Sequence, residues 1–527
     1  MTPSAPGFER RALNRVTFGA RSEDVEHVKH IGWTAWVDEQ LNPPVGDDPA
    51  LAARLQAQTM RLKYLGQAQT DDMPGWPDMD QVRPLRYLTA DVPTLWDMTR
   101  KVQYSVASEE LARIGQELKA TTWIRNTHSI FQIREFMVDF WNNHFNIGQQ
   151  ADSFAAAALP DFDQNVIRPR ALGNFRDLLG AVATSPAMLR YLNNAASTAA
   201  HPNENYAREI LELHTLGRSA YLGISAPAGS DSQDAGFTDQ DVIALSHALS
   251  GWTLEQGQDG PGGALPFTGR FLFNPVQHSG RAGKLMGTDL SALTGAQQGQ
   301  RALDMAADHP ATAAFVCTKL CRRIFGDSPP ATVLDRAKTA WLNNRKQPDQ
   351  IKRVVEAILL GGDEIGGLPS KVRRPYERII AFFRTTNMEI SASETAYTAG
   401  RPLGDGIYVW PTPEGRPDTD AQWISVPVNF FIWNMLLLLP FQPAIHTSLA
   451  TDTPTSATSS AEALVGYWVA RMVGSPLRAE GMAALIGDVA APGGALAAFK
   501  IGGITDIEIA LRRLVSLIGA SPEFAMR

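Results

Sequence analysis

His201-Pro-Asn-Glu-Asn-Tyr-Ala-Arg-Glu-Ile-Leu-Glu-Leu-His-Thr-Leu-Gly217 packs two Asn, three Glu, one Arg and two His into a run that reads as one helix. Apolar Ile210, Leu211, Leu213 and Leu216 recur at helical spacing, and Gly217 fits a helix C-cap. On a helical wheel Asn205, Arg208, Glu209 and Glu212 share one side, while Tyr206, Ala207, Ile210, Leu213 and His214 share the other. The same periodicity recurs in Glu23 to Leu41, Leu111 to Leu118, Ile130 to Asn146, Phe175 to Leu192, Ala302 to Phe325 and Ile351 to Leu360. The chain therefore reads as mainly α, a multi-helix globular fold with long loops and at most a small β-hairpin element. Ser22, Thr238 with Asp241, and His309-Pro310 are start signals for three of its helices.

Gly269-Arg-Phe-Leu-Phe-Asn274 alternates near Gly and Pro and fits a hairpin arm. Long loops are expected at Met73 to Pro84, Gly223 to Gly236 and Glu255 to Gly263. Residues 1–450 form the expected main body, with a subdivision near 220–300 at the loop and hairpin insertion. Thr451 to Ala461 reads as a linker, and residues 462–527 as a C-terminal helical segment packed on the body.

The chain has 527 residues, 44% hydrophobic and 20% charged, which suits conventional packed cores and argues against a largely disordered chain. A net charge of -7 offers nothing to nucleic acid, and none is expected as a partner. Val426 to Phe441 is the most apolar run, but Asn429, Asn434 and two prolines interrupt it, so it reads as a buried helix and not a membrane span. The N-terminal residues lack a signal-peptide core. As written the chain reads as cytoplasmic; with a signal segment removed it would be periplasmic or secreted. Cys317 and Cys321, four apart in an apolar helical run, read as small core side chains, which excludes a disulfide framework.

Two segments hold the residue types that chemistry needs. Glu209 and Glu212, three apart, can converge on one cation or share one proton, in general acid and base roles. Arg208 pairs with Glu204 and Glu212 at spacing four, so an ion-pair ladder accounts for the same residues, worth roughly 0.3–0.5 kcal/mol per exposed pair. In Gln132-Ile-Arg-Glu-Phe-Met-Val-Asp-Phe-Trp-Asn-Asn-His-Phe-Asn146, Phe136, Phe140 and His144 stack at spacing four, with Glu135, Asp139, Asn142 and Asn143 on the polar side, where they can supply oxygen ligands. His144 and His214 facing each other, with Glu209 or Glu212 nearby, would make an N/O site for a divalent metal of unknown identity, lined by Asn143, Asn205 and Arg208. A metal-bound water there would serve a hydrolase or an oxidoreductase. His278, in a polar loop with Lys284, is a further candidate acid or base. No GxSxG elbow, Walker loop, HExxH or dinucleotide fingerprint is present.

Several stretches together resemble the large, mainly bacterial family called domain of unknown function 1800. They are Arg11 to Gly19, Phe140-Trp-Asn-Asn-His-Phe145, Arg170 to Leu179, Ser185 to Leu189, Asn203 to Gly217, Ser250-Gly-Trp252, His309 to Ala313 and Ser521-Pro-Glu-Phe-Ala-Met-Arg527. The resemblance runs nearly end to end and implies that the His144 and Asn203 to Gly217 segments share one site, but no activity is established for the family. Its members are often exported and accompanied by a second uncharacterised family resembling sulfatases and alkaline phosphatases, which implies a protein partner of that type. Relatives tend to have His-Asp followed by Gly and Lys; this chain has His278-Ser279-Gly280 and then Lys284.

Two functions follow. One is a metal-dependent enzyme acting on a small molecule or polymer. The other is a non-catalytic binding or assembly protein whose His/Glu/Arg cluster is a buried polar network. Convergence of both His with a carboxylate favours the first; mutually satisfied Glu-Arg pairs favour the second.

Overall fold

Helix starts are encoded locally, and they subdivide the long helices that periodicity alone suggests. The computed structural model describes residues 6–71, 74–148, 152–225, 236–260, 263–367, 371–393, 405–491, 494–495 and 504–527. Ser185 caps Pro186–Tyr191 through its Oγ, so Phe175 to Leu192 is two helices. His309 Nδ1 accepts from the Ala311 N–H at 3.0 Å and starts Pro310–Phe325, separating it from Ala296–Asp308. Gly32, at φ 88°, divides Ser22–Ile31 from Trp33–Leu41. In each case proline lacks the N–H that a continuing helix needs, or a left-handed glycine turns the chain. The Thr238 and Asp241 capping box forms as read.

The fold is mainly α. Among the described residues the β content is five small two-stranded antiparallel sheets. Phe267–Phe273 pairs with Trp252–Gln256, in agreement with the expected hairpin arm. Part of the expected 73–84 loop is instead a strand, Met79–Pro84, paired with Thr59–Tyr64. Residues 226–235 of the expected Gly223 to Gly236 loop lie outside the described residues.

One apolar core runs from Ala12 to Phe524 and buries Trp96, Trp123, Trp141, Trp252, Trp341 and Trp468. The C-terminal residue packs against the Phe8–Val16 helix within it. Arg527 exchanges backbone hydrogen bonds with Lys371, and its guanidinium donates to the carbonyls of Arg15 and Arg323. Residues 451–461 carry the end of the Leu449–Asp452 helix and a Thr455–Ser459 turn, with Ala457 buried.

The helix expected at 426–441 is buried on one face only. Val428, Ile432 and Leu436 enter the core, while Val426, Phe430, Trp433, Leu437 and Leu438 are exposed. The run is apolar all round, so its sequence carries no polar stripe to reveal which side faces out. No described helix is long and apolar enough to cross a membrane.

Candidate functional site

The Gln132–His144 helix is the central strut, and its polar residues are each committed. Asp139 accepts from Arg323 (3.0 Å), Arg374 (2.6 Å) and Arg416 (2.8 Å). Burial pushes its carboxyl pKa up, but the three guanidiniums outweigh burial and hold it well below the usual carboxylate range. Glu377, ion-paired with Arg323 and Arg374, extends the same buried network. Glu135 is bonded to Arg134 and Arg168. The carboxylates read from sequence as oxygen ligands are thus occupied by arginines, all but the neighbouring Arg134 coming from distant segments.

Asn142, Asn143, His144 and Asn146 fasten three other segments to the end of this helix. Asn142 donates to Asp163 at 3.0 Å. Asn143 donates to the Arg416 carbonyl and accepts the Arg416 N–H, and Asn146 donates to the carbonyls of Trp410 and Thr412. These bonds press the 410–416 loop onto the helix. Gly415, at φ 77°, sits against the Asn143 carbonyl where a Cβ would collide.

His144 stacks on Phe140 as the spacing predicts, and its Nε2 lies 3.0 Å from the backbone carbonyl of His214. A carbonyl only accepts, so Nε2 carries the proton. The two histidines are therefore neighbours, as the sequence suggested, but through ring and backbone. His144 Nδ1 and His214 Nε2 are buried without a hydrogen-bond partner among the described residues. Burial, reinforced by the Lys319 ammonium, keeps both rings neutral, with the His214 pKa pushed down to about 3.

The 201–217 segment splits as the wheel predicts, but it is not one regular helix. Glu204–Glu209 is α-helical, Ile210–His214 is a π turn, and Asn203 caps the start. Gly217, at φ 88°, ends it and packs where a side chain would strike the Phe315 ring at 2.7 Å. Glu212 is held by Arg208 and by Arg218, each at 3.3 Å, and Arg208 also bonds Asp239. Glu209 is half-buried, its pKa raised by burial and then by Glu212 and Glu414. Asn205 is exposed. His214 points into the core, opposite the carboxylates. Among the described residues no group of three His, Cys, Asp or Glu side chains is placed to hold a metal ion. His278 is engaged elsewhere, between the Ser250 carbonyl and Gln298 Oε1.

What these elements enclose is a cleft that motif reading missed. A cavity of about 680 Å³ lies between the Glu212 to Ala220 segment and the Pro310–Phe325 helix, lined by Phe315, Thr318, Lys319 and Arg322. A second, of about 280 Å³, lies between that helix and the 410–419 loop and shares Lys319, Arg322 and Glu414. Ala311, Ala314, Phe315, Thr318, Lys319 and Arg322 form one helical face, offset from the buried face of Val316, Cys317, Leu320 and Cys321. Burial pushes the Cys321 thiol up to about 12, in keeping with a core role. Lys319 is half-buried with its ammonium 5.4 Å from the Phe315 ring, and neither it nor Arg322 has a side-chain hydrogen bond or ion pair among the described residues. Burial lowers the Lys319 pKa to about 8, with Asp418 opposing. The available signal was Phe315, Lys319 and Arg322 at spacings of four and three, on a helix read through its periodicity, its His309-Pro310 start and its cysteines.

Fold and cleft together define a helical protein with a cation-lined cavity between a charged helix and a pinned loop. The chain belongs to the family described as Protein of unknown function (DUF1800), whose model matches residues 11–526. No curated protein and no solved structure matches it.

Proposed function

We propose that the protein binds a small anionic molecule in the cleft over Lys319 and Arg322. The observation that carries this reading is that two cations, one helical turn apart, face a cavity without a carboxylate partner among the described residues. Lys319 is half-buried and unpaired, which is costly, and an incoming anion that also meets the exposed Arg322 at the cavity mouth supplies the missing partner. In this reading the Glu-Arg pairs of the 204–218 segment are a structural wall, as the binding-protein alternative requires, and Asn143 and Asn146 hold the opposite wall. The metal-dependent reading draws no donor set from this arrangement, because His214 and the carboxylates Glu209 and Glu212 lie on opposite faces of one segment and His144 packs on the His214 side.

Isothermal titration calorimetry with pyruvate, succinate and inorganic phosphate tests it. At least one should bind, with affinity falling about tenfold or more in Arg322→Ala and weakening with added salt. Heats that are the same for wild type and Arg322→Ala would remove the reading.

A further inference from the structure

We propose that the Lys319 amine captures the carbonyl carbon of an aldehyde or 2-oxo acid whose carboxylate rests on Arg322. This deepens the anion-binding reading and rests on it. Residues three apart on a helix have Cβ atoms about 5–6 Å from each other, a separation that places a carboxylate on one side chain and its adjacent carbonyl at the other. Both cavities are lined by Lys319 and Arg322, so these two side chains stand where the cavities adjoin. Together they have room for a molecule much larger than pyruvate.

The surroundings favour the neutral amine. The Phe315 ring offers the ammonium a cation–π contact but no hydrogen bond, and burial outweighs it. His144 and His214, from the two elements behind it, are neutral and add no charge. Arg322 and Arg323 on its own helix add positive charge. Of the carboxylates, Asp418 is ion-paired with Lys371 at 2.8 Å, Glu212 is held by Arg208 and Arg218, and Glu414 is exposed at the rim. With its pKa lowered to about 8, Lys319 at neutral pH holds a fraction of free amine on the order of a hundredfold above that of an ordinary lysine.

The chemistry balances without an oxidant or reductant. The nitrogen lone pair adds to the carbonyl carbon, forming a C–N bond while the carbonyl π pair moves to oxygen. One proton passes from nitrogen to that oxygen, giving a carbinolamine. Loss of water breaks the C–O bond, the second nitrogen proton leaving with it, and yields the imine.

Full-length protein is incubated with pyruvate, reduced with sodium borohydride, digested, and the adduct quantified at each lysine by tandem mass spectrometry. Occupancy at Lys319 should exceed that at exposed Lys29, Lys63 and Lys346 by about tenfold or more, with a half-maximum near pH 8. Arg322→Ala should lower labelling by pyruvate but not by acetaldehyde, which has no carboxylate. Lys319→Arg, checked for fold by circular dichroism, should abolish the preferred adduct. Pyruvate heat that disappears in Arg322→Ala, with labelling no greater at Lys319 than at exposed lysines, overturns the imine and leaves anion binding standing. Absence of both heat and preferred adduct overturns both.

Discussion

His144 Nε2 donates to the backbone carbonyl of His214 across 3.0 Å, tying the end of the Gln132–His144 helix to the last residue of the Ile210–His214 π turn. The bond satisfies a helix-terminal carbonyl that has no partner within its own turn. His144→Ala should cost about 2–4 kcal/mol, combining the lost ring packing with a buried unsatisfied carbonyl. Urea denaturation measures it, and a loss below about 0.5 kcal/mol would show that the contact does not hold the two elements together.

Acidification should destabilise the protein well before its carboxylates titrate. Burial depresses His144 below the usual histidine range and takes His128 and His214 to about 3. Between about pH 6.5 and about pH 3 the unfolded chain binds protons that the folded chain refuses, so stability is full above 6.5 and falls as pH falls, by up to about 1.4 kcal/mol per pH unit for each group. Melting temperatures at about pH 7 and about pH 5 test this, with a shallower slope expected for His214→Phe. Equal melting temperatures would contradict neutral buried imidazoles.

Removing Asp139 leaves Arg323, Arg374 and Arg416 buried around an empty position. Asp139→Ala should therefore cost about 3–5 kcal/mol or prevent folding, more than any substitution in the partly exposed Glu-Arg pairs of the 204–218 segment. Chemical denaturation of Asp139→Ala beside Glu212→Ala provides the comparison, and equal losses would refute the ranking.

Lys319→Met should fold at least as well as wild type. The Lys319 pKa falls to about 8 on folding, from an unfolded value near 10.4, so below about pH 8 the native state carries a poorly solvated ammonium. Wild-type stability gains with rising pH from about 8 to about 10.4, and the advantage of the variant should fade over that range. After allowance for screening in the open cleft, a gain of about 1 kcal/mol at neutral pH is expected. A clear loss of stability would mark Lys319 as a packing residue.

The helical class, the caps at Thr238 and His309, and the division of the 201–217 segment into a polar and an apolar face were all legible in the sequence. Each depends on residues within about one turn of one another, and a period of 3.6 fixes which side chains share a side. Even the π turn left that division intact. Part of the loop expected at 73–84 was missed because the pairing of Met79–Pro84 needs a strand that ends fifteen residues earlier, at Tyr64.

The state of the charges was decided only by the tertiary structure. Asp139 reads as a ligand until Arg323, Arg374 and Arg416 arrive from three distant segments to neutralise it. Glu212 reads as half of a carboxylate pair until Arg208 and Arg218 hold it. Lys319 is the converse, an ordinary helical lysine in sequence that folding half-buries without an ion-pair partner among the described residues. Local spacing fixes the face on which a side chain lies. Its solvation and its partners, and with them its pKa, follow from which remote segments the core packs against that face.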